Sequence, residues 1–114
     1  MDTIRQQKTA ALIKRELAEI FLNDGPYVYD CMITVTKTSV TKDLSIARSY
    51  LSIFNAEDNE AVIKAVRANT KDIRYRLGQK IRLQVRVIPQ LEFFIDDSLD
   101  YIENIENIEK LLKQ

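Results

Sequence analysis

The segment Val62-Ile63-Lys64-Ala65-Val66-Arg67-Ala68-Asn69-Thr70-Lys71-Asp72-Ile73-Arg74-Tyr75-Arg76-Leu77-Gly78-Gln79-Lys80-Ile81 decides the fold. Its first half carries an apolar face at Val62, Ala65 and Val66, the three- and four-residue steps of a helix. Its second half repeats Ile73, Leu77 and Ile81 at four-residue steps. The two registers abut at Asn69-Thr70-Lys71, and one straight helix would carry the second stripe off the core. Two helices with a bend between them satisfy both stripes. Asn is one of the few non-Gly residues that tolerates a left-handed or irregular backbone at such a point. Asn55 or Asp58 is placed to cap the first helix.

Upstream of this pair, residues 3–23 read as a helix with Ile13, Leu17, Ile20 and Phe21 on one stripe, extended by Ala10 and Ile4. Asp2 or Thr3 can cap it, and Asn23-Asp24-Gly25-Pro26 stops it. Tyr27 to Cys31 is an irregular approach to a hairpin. In Ile33-Thr34-Val35-Thr36-Lys37-Thr38, β-branched residues alternate with polar ones, and Thr41-Lys42-Asp43 supplies the turn. On the second strand Ala47, Ser49, Leu51 and Ile53 share one face, and Ile46, Arg48, Tyr50, Ser52 and Phe54 share the other. Downstream, the basic-apolar alternation of Leu83 to Ile88 leads toward a strand in which Leu91, Phe93 and Ile95 share a face. Asp97 or Ser98 then begins a last helix with an apolar stripe of Ile102, Ile105, Ile108, Leu111 and Leu112.

The order helix, strand, strand, helix, bend, helix, strand, helix predicts an α+β two-layer sandwich, with one sheet face under helices and the other open. The 114 residues are the size of one domain, expected over 1–114, with the helix over 98–113 packed on it. No apolar run approaches a membrane span, and Met1-Asp2-Thr3-Ile4 lacks the pattern of a secretory signal. Cys31 is the lone cysteine, so no internal disulfide forms, as suits a reducing cytoplasm. The chain has no His, the commonest general base near neutral pH and the commonest metal ligand. Asp96-Asp97 reads as a helix-start signal rather than a carboxylate pair, because adjacent strand-end residues point apart. No Gly-rich phosphate loop is present. The composition therefore predicts a binding protein, not an enzyme, with no cofactor and no metal.

Lys and Arg balance Asp and Glu at 17 each, but the charge is unevenly placed. Lys64 to Arg86 contains eight basic residues and Asp72 alone, whereas seven acids follow from Glu92 onward. A local positive field on a neutral chain invites a polyanion. Phosphate binding needs cations together with exposed amides at a helix start. The expected RNA-contacting set is Arg67, Asn69, Thr70 and Lys71 about the bend, then Arg74, Arg76, Lys80 and Arg82 along the following helix, with Arg5, Lys8 and Arg15 on the polar side of the first. Gly78 lies among them, and a mid-helix Gly costs about 1 kcal/mol relative to Ala. Close packing on a neighbouring helix and close approach of an RNA backbone both account for it. Of the aromatic residues, Tyr75 sits inside the basic segment. A competing reading is a protein-interaction module using the open sheet face (Ile46, Tyr50, Phe54) or the terminal helix.

Two joined motifs, Ile73-Arg74-Tyr75-Arg76-Leu77-Gly78-Gln79-Lys80-Ile81-Arg82-Leu83 and Ile88-Pro89-Gln90-Leu91-Glu92-Phe93-Phe94-Ile95-Asp96-Asp97-Ser98, resemble bacterial ribosome-binding factor A. So does the hairpin, with Asp43-Leu44 followed by Ala47. The resemblance spans nearly the whole chain. It implies a type II K-homology-like sandwich, α-β-β-α-(bend)-α-β plus a C-terminal helix, with a three-stranded sheet. It also implies binding to 16S rRNA within the free 30S subunit during late maturation, release helped by a ribosome-dependent GTPase, a role in cold adaptation, and a cytoplasmic monomer. That family usually carries Ala-x-Gly at the bend, where this chain has Asn69, Thr70 and Lys71. A Lys at the Gly position makes the bend shallower or exchanges backbone approach for a direct phosphate contact.

Overall fold

In the computed structural model, residues 2–23, 31–54 and 56–96 are described. Helix α1 (Ile4–Asn23) opens on a reciprocal cap. The Thr3 amide donates to Gln6 Oε1 at 2.9 Å, and the Gln6 amide donates to Thr3 Oγ1 at 3.1 Å. This is a capping box with Gln as the third helical residue, and of the two predicted caps it selects Thr3. Gln6 is itself buried, and its Nε2 donates to the Val40 carbonyl at 2.9 Å, tying the start of α1 to the end of strand β1 (Met32–Val40).

Strand β1 pairs antiparallel with β2 (Ile46–Phe54), and β2 pairs parallel with β3 (Gln90–Ile95), so β2 is central. The parallel partner is reached through α2 (Asn59–Ala68) and α3 (Thr70–Ile81). Strict alternation along β1 would send Lys37 to the same face as Ile33 and Val35. The structure instead shifts register between Val35 and Lys37, pairing Val35 with Leu51 and Lys37 with Tyr50. Thr36 is the extra residue of this bulge. Its hydroxyl hydrogen-bonds the Asp96 carboxylate. The shift turns Lys37 outward and brings Thr38 and Val40 to the core side, opposite Ser49 and Ala47. Ser49 is fully buried yet satisfied, its Oγ 3.0 Å from Thr38 Oγ1.

The core lies between the inner sheet face and the helices. Ile13, Leu17 and Ile20 of α1, Ile63 and Val66 of α2, and Ile73, Leu77 and Ile81 of α3 meet Leu51 and Phe93 there. The second of the two apolar stripes that suggested a bend, Ile73, Leu77 and Ile81, is buried whole. Of the first, Val62 and Val66 are buried, Ala65 is half-buried, and Ile63 enters the core beside them. Asp58 caps α2, its Oδ1 accepting from the amides of Glu60 and Ala61. Residues 82–89 form no strand. They turn after α3 and lead directly into β3. The C-terminal helix expected over 98–113 and the approach through Tyr27 and Tyr29 lie outside the described residues.

Candidate nucleic-acid interface

The junction of α2 and α3 is a single residue. Asn69 has φ −102 and ψ 12, a bridge conformation rather than the left-handed one that its residue type would also allow. Its side chain closes α2, Nδ2 donating to the Ala65 carbonyl at 2.8 Å, while Thr70 Oγ1 donates to the Arg67 carbonyl at 2.8 Å. The Asn69 carbonyl then accepts from the Ile73 amide at 3.0 Å and starts α3. No side-chain hydrogen bond caps that start, where the helix dipole is positive, and Lys71 beside it is exposed. The junction forms without Gly because the side chains of Asn69 and Thr70 close the last carbonyls of α2.

The predicted cations separate into three roles. Arg67 donates from Nε and Nη2 to the Phe93 carbonyl at 3.0 and 2.8 Å, and its guanidinium carbon lies 5.9 Å from the Phe94 ring centre. Arg74 donates from Nε to the Pro89 carbonyl at 2.9 Å and from Nη2 to the Ile88 carbonyl at 2.6 Å. Expected to project toward RNA, Arg74 instead clamps the chain before β3. Arg76 and Lys80 make surface ion pairs, with Asp72 at 3.0 Å and with Glu19 of α1 at 3.6 Å. Lys71, Tyr75 and Arg82 are exposed on the solvent stripe of α3, and Lys71 and Arg82 make no ion pair among the described residues. Gly78 packs against Ile88 rather than against a neighbouring helix. A Cβ there would lie 3.4 Å from Ile88 Cγ1, so the glycine lies against the segment that Arg74 holds.

Arg5, Lys8 and Arg15 follow one flank of α1, in the three- and four-residue steps that also carry Glu19 toward Lys80. Arg15 lies 3.3 Å from Glu16, with 69% of its side chain exposed. Arg5 and Lys8 line a groove of about 750 Å³ between the start of α1, the hairpin turn and the chain after α3. Arg86 and Gln84 line it too. The site prediction omitted both, because the alternation of Leu83 to Ile88 read as a lead into a strand. At the turn, the Leu44 amide donates to the Thr41 carbonyl at 2.8 Å and Leu44 adopts φ 61. The hydroxyl of Ser45, the hydroxyl of Thr41 and the amide of Ser45 hold the Asp43 carboxyl below its ordinary range. Among the described residues no group of His, Cys, Asp and Glu is arranged to hold a metal ion. No helix there is long and apolar enough to cross a membrane.

A family model described as ribosome-binding factor A matches residues 5–109. The chain belongs to the ribosome-binding factor A family. A relative from Flavobacterium johnsoniae is 45% identical over 109 residues, 94% of this chain and 84% of that one. One from Cytophaga hutchinsonii is 40% identical over 109 residues, 95% of this chain and 82% of that one. The crystal structure of ribosome-binding factor A from Thermus thermophilus is similar, with TM-score 0.63 and 27% identity over 79% of this chain and 94% of that one. A Thermus thermophilus ribosome-binding factor A homology model, fitted into a cryo-electron-microscopy map of a 30S–RbfA complex, has TM-score 0.61 and 26% identity, covering 77% of this chain and 91% of that one. The family's K-homology-like sandwich is therefore the fold of this chain. Its helix junction is built here from Asn69, Thr70 and Lys71.

Proposed function

We propose that this chain binds the small ribosomal subunit through its 16S rRNA and assists late maturation of that subunit, acting by binding rather than by catalysis. The observation that carries the reading is the one-residue junction of α2 and α3. An uncapped helix start and exposed Lys71 stand there, with Arg82 further along the same solvent stripe. Amides and cations in that arrangement suit the ribose-phosphate backbone of a single strand. Family membership supports the reading, as does the Thermus relative fitted into a 30S complex. Release before translation, aided by a ribosome-dependent GTPase, completes the proposed cycle.

Sedimentation of the full chain with purified small subunits, large subunits and complete ribosomes tests this. Co-migration with free small subunits is expected, weakened as salt rises because phosphate neutralisation releases counterions. The double variant Lys71→Glu, Arg82→Glu should lose it. A specific observation favours one other reading. Met32 and Phe54, paired across the open sheet face, are 62% and 59% exposed, as a protein-docking surface would require. Retention by the charge variant together with loss in Tyr50→Ser, Phe54→Ser would transfer the function to that face.

A further inference from the structure

Three departures from local preference converge on the groove at the start of α1. Helix starts favour acids, because the dipole is positive there, yet the first turn of α1 has none and Arg5 and Lys8 occupy its first two turns. Leu44 holds a left-handed backbone, which disfavours any side chain larger than Asn or Asp. Val87 is 67% exposed, although it lies beside partly buried Val85 and Ile88 in sequence. Departures of this kind concentrate where function overrides folding preference. Here they give one concave surface, with cations on α1 and after α3 and an apolar lining of Leu44, Val85 and Val87.

Resting on the RNA-binding reading above, we infer that this groove receives one unstacked nucleotide of the bound strand. The base lies on Leu44, Val85 and Val87, and its flanking phosphates meet Arg5, Lys8 and Arg86. The volume, about 750 Å³, falls within the range of about 300–1,000 Å³ that encloses small ligands. The counter-charge inside the groove is Asp43, whose Oδ1 already accepts from the Thr41 hydroxyl at 2.8 Å and from the Ser45 hydroxyl at 2.7 Å. One carboxylate against three cations leaves a net positive wall. The anionic groups it attracts are attached to something with an apolar face, because a bare phosphate would leave Val85 and Val87 wet. A nucleotide has both. Single-strand recognition by splayed-out bases is the general mode for RNA, and the groove supplies it at the opposite end of α3 from the helix junction.

The test uses the full chain with labelled Leu and Val methyl groups. It is titrated with a ten-nucleotide single-stranded RNA, with the same strand carrying abasic riboses, and with adenosine monophosphate. Ring-current shifts at the methyls of Leu44, Val85 and Val87 are expected with the intact strand and absent with the abasic one. The intact strand should bind roughly tenfold more tightly, the effect of withdrawing about 55 Å² of apolar surface from water. The double variant Lys8→Ala, Arg86→Ala should weaken both strands to a similar degree. Methyls that stay unmoved while the strand binds and small subunits still co-sediment would overturn the groove assignment and leave the RNA reading standing. Adenosine monophosphate shifting the same methyls as tightly as the strand would overturn the choice of a strand. Binding of neither strand nor subunits would remove the RNA reading, and the groove assignment with it.

Discussion

Arg74 shows how a residue's position in the sequence and its use in the structure diverge. It sits in the middle of the basic segment, but its guanidinium holds the carbonyls of Ile88 and Pro89. Removing it leaves two backbone acceptors without their charged donor, so Arg74→Ala should lower stability by about 1–3 kcal/mol in urea unfolding. Arg74→Lys should recover only part of this, since an ammonium lacks the planar fork that reaches both oxygens. An unchanged midpoint for the Ala variant would refute the clamp. Leu44 offers the reverse comparison. At φ 61 a Cβ is a burden, so Leu44→Gly should be more stable than Leu44→Ala by about 1 kcal/mol, inverting the usual order of the two residues. Asp43 adds a pH dependence of defined sign. Its folded pKa is lowered from 3.8, so its contribution is present above that value and fades as the pH falls through the lower folded one. The stability gap between the protein and Asp43→Asn should therefore narrow on acidification below about pH 4, and a gap that widened there would contradict the turn's hydrogen bonds.

At the scale of elements, the α2–α3 pair depends on how one residue ends one helix and starts another. Asn69 and Thr70 close the last carbonyls of α2 with side-chain donors, which allows the chain to turn without Gly. Helix α3 then contains the one glycine of the described residues, placed against Ile88. Because a Cβ would meet only that side chain, at 3.4 and 3.9 Å, the helix should accept Ala. Gly78→Ala should stabilise the protein by about 0.5–1 kcal/mol, from helix propensity and a less flexible unfolded chain. Thermal unfolding measures this, and a destabilised variant would mean that Ile88 cannot give way. The bulge at Thr36 acts on β1 in a comparable way. One extra residue reverses which side chains face inward, and without it Lys37 would share the core side with Val35.

For the molecule as a whole, the net charge of zero conceals a division between cations that hold the fold and cations left to meet a partner. Arg67 and Arg74 belong to the first group. Arg5, Lys8, Lys71, Arg82 and Arg86 make no ion pair among the described residues. If these five meet phosphates, the logarithm of subunit affinity should fall with the logarithm of salt concentration at a slope on the order of −3 to −4. Equilibrium binding at several salt concentrations measures it. A slope near zero would exclude a phosphate-led interface.

The amino-acid sequence by itself determined the order of the described elements, the bend at Asn69 and the inward faces of β2, α3 and β3, and that of α1 from Ala10 to Ile20; Ile4, read into the same stripe, is 71% exposed. These depend on periodicity, and a period is visible in one dimension. It also marked the segment where cations gather. What it could not convey was which of those cations are available, because Arg74 and the carbonyl of Pro89 are neighbours only after the chain has crossed from α3 to β3. The groove was hidden for the same reason. Its walls come from three stretches far apart in the chain, and only folding brings Arg5, Leu44 and Arg86 to one surface. Local pattern selects the elements, whereas the pairing of a charge with its partner depends on distances that tertiary packing alone sets.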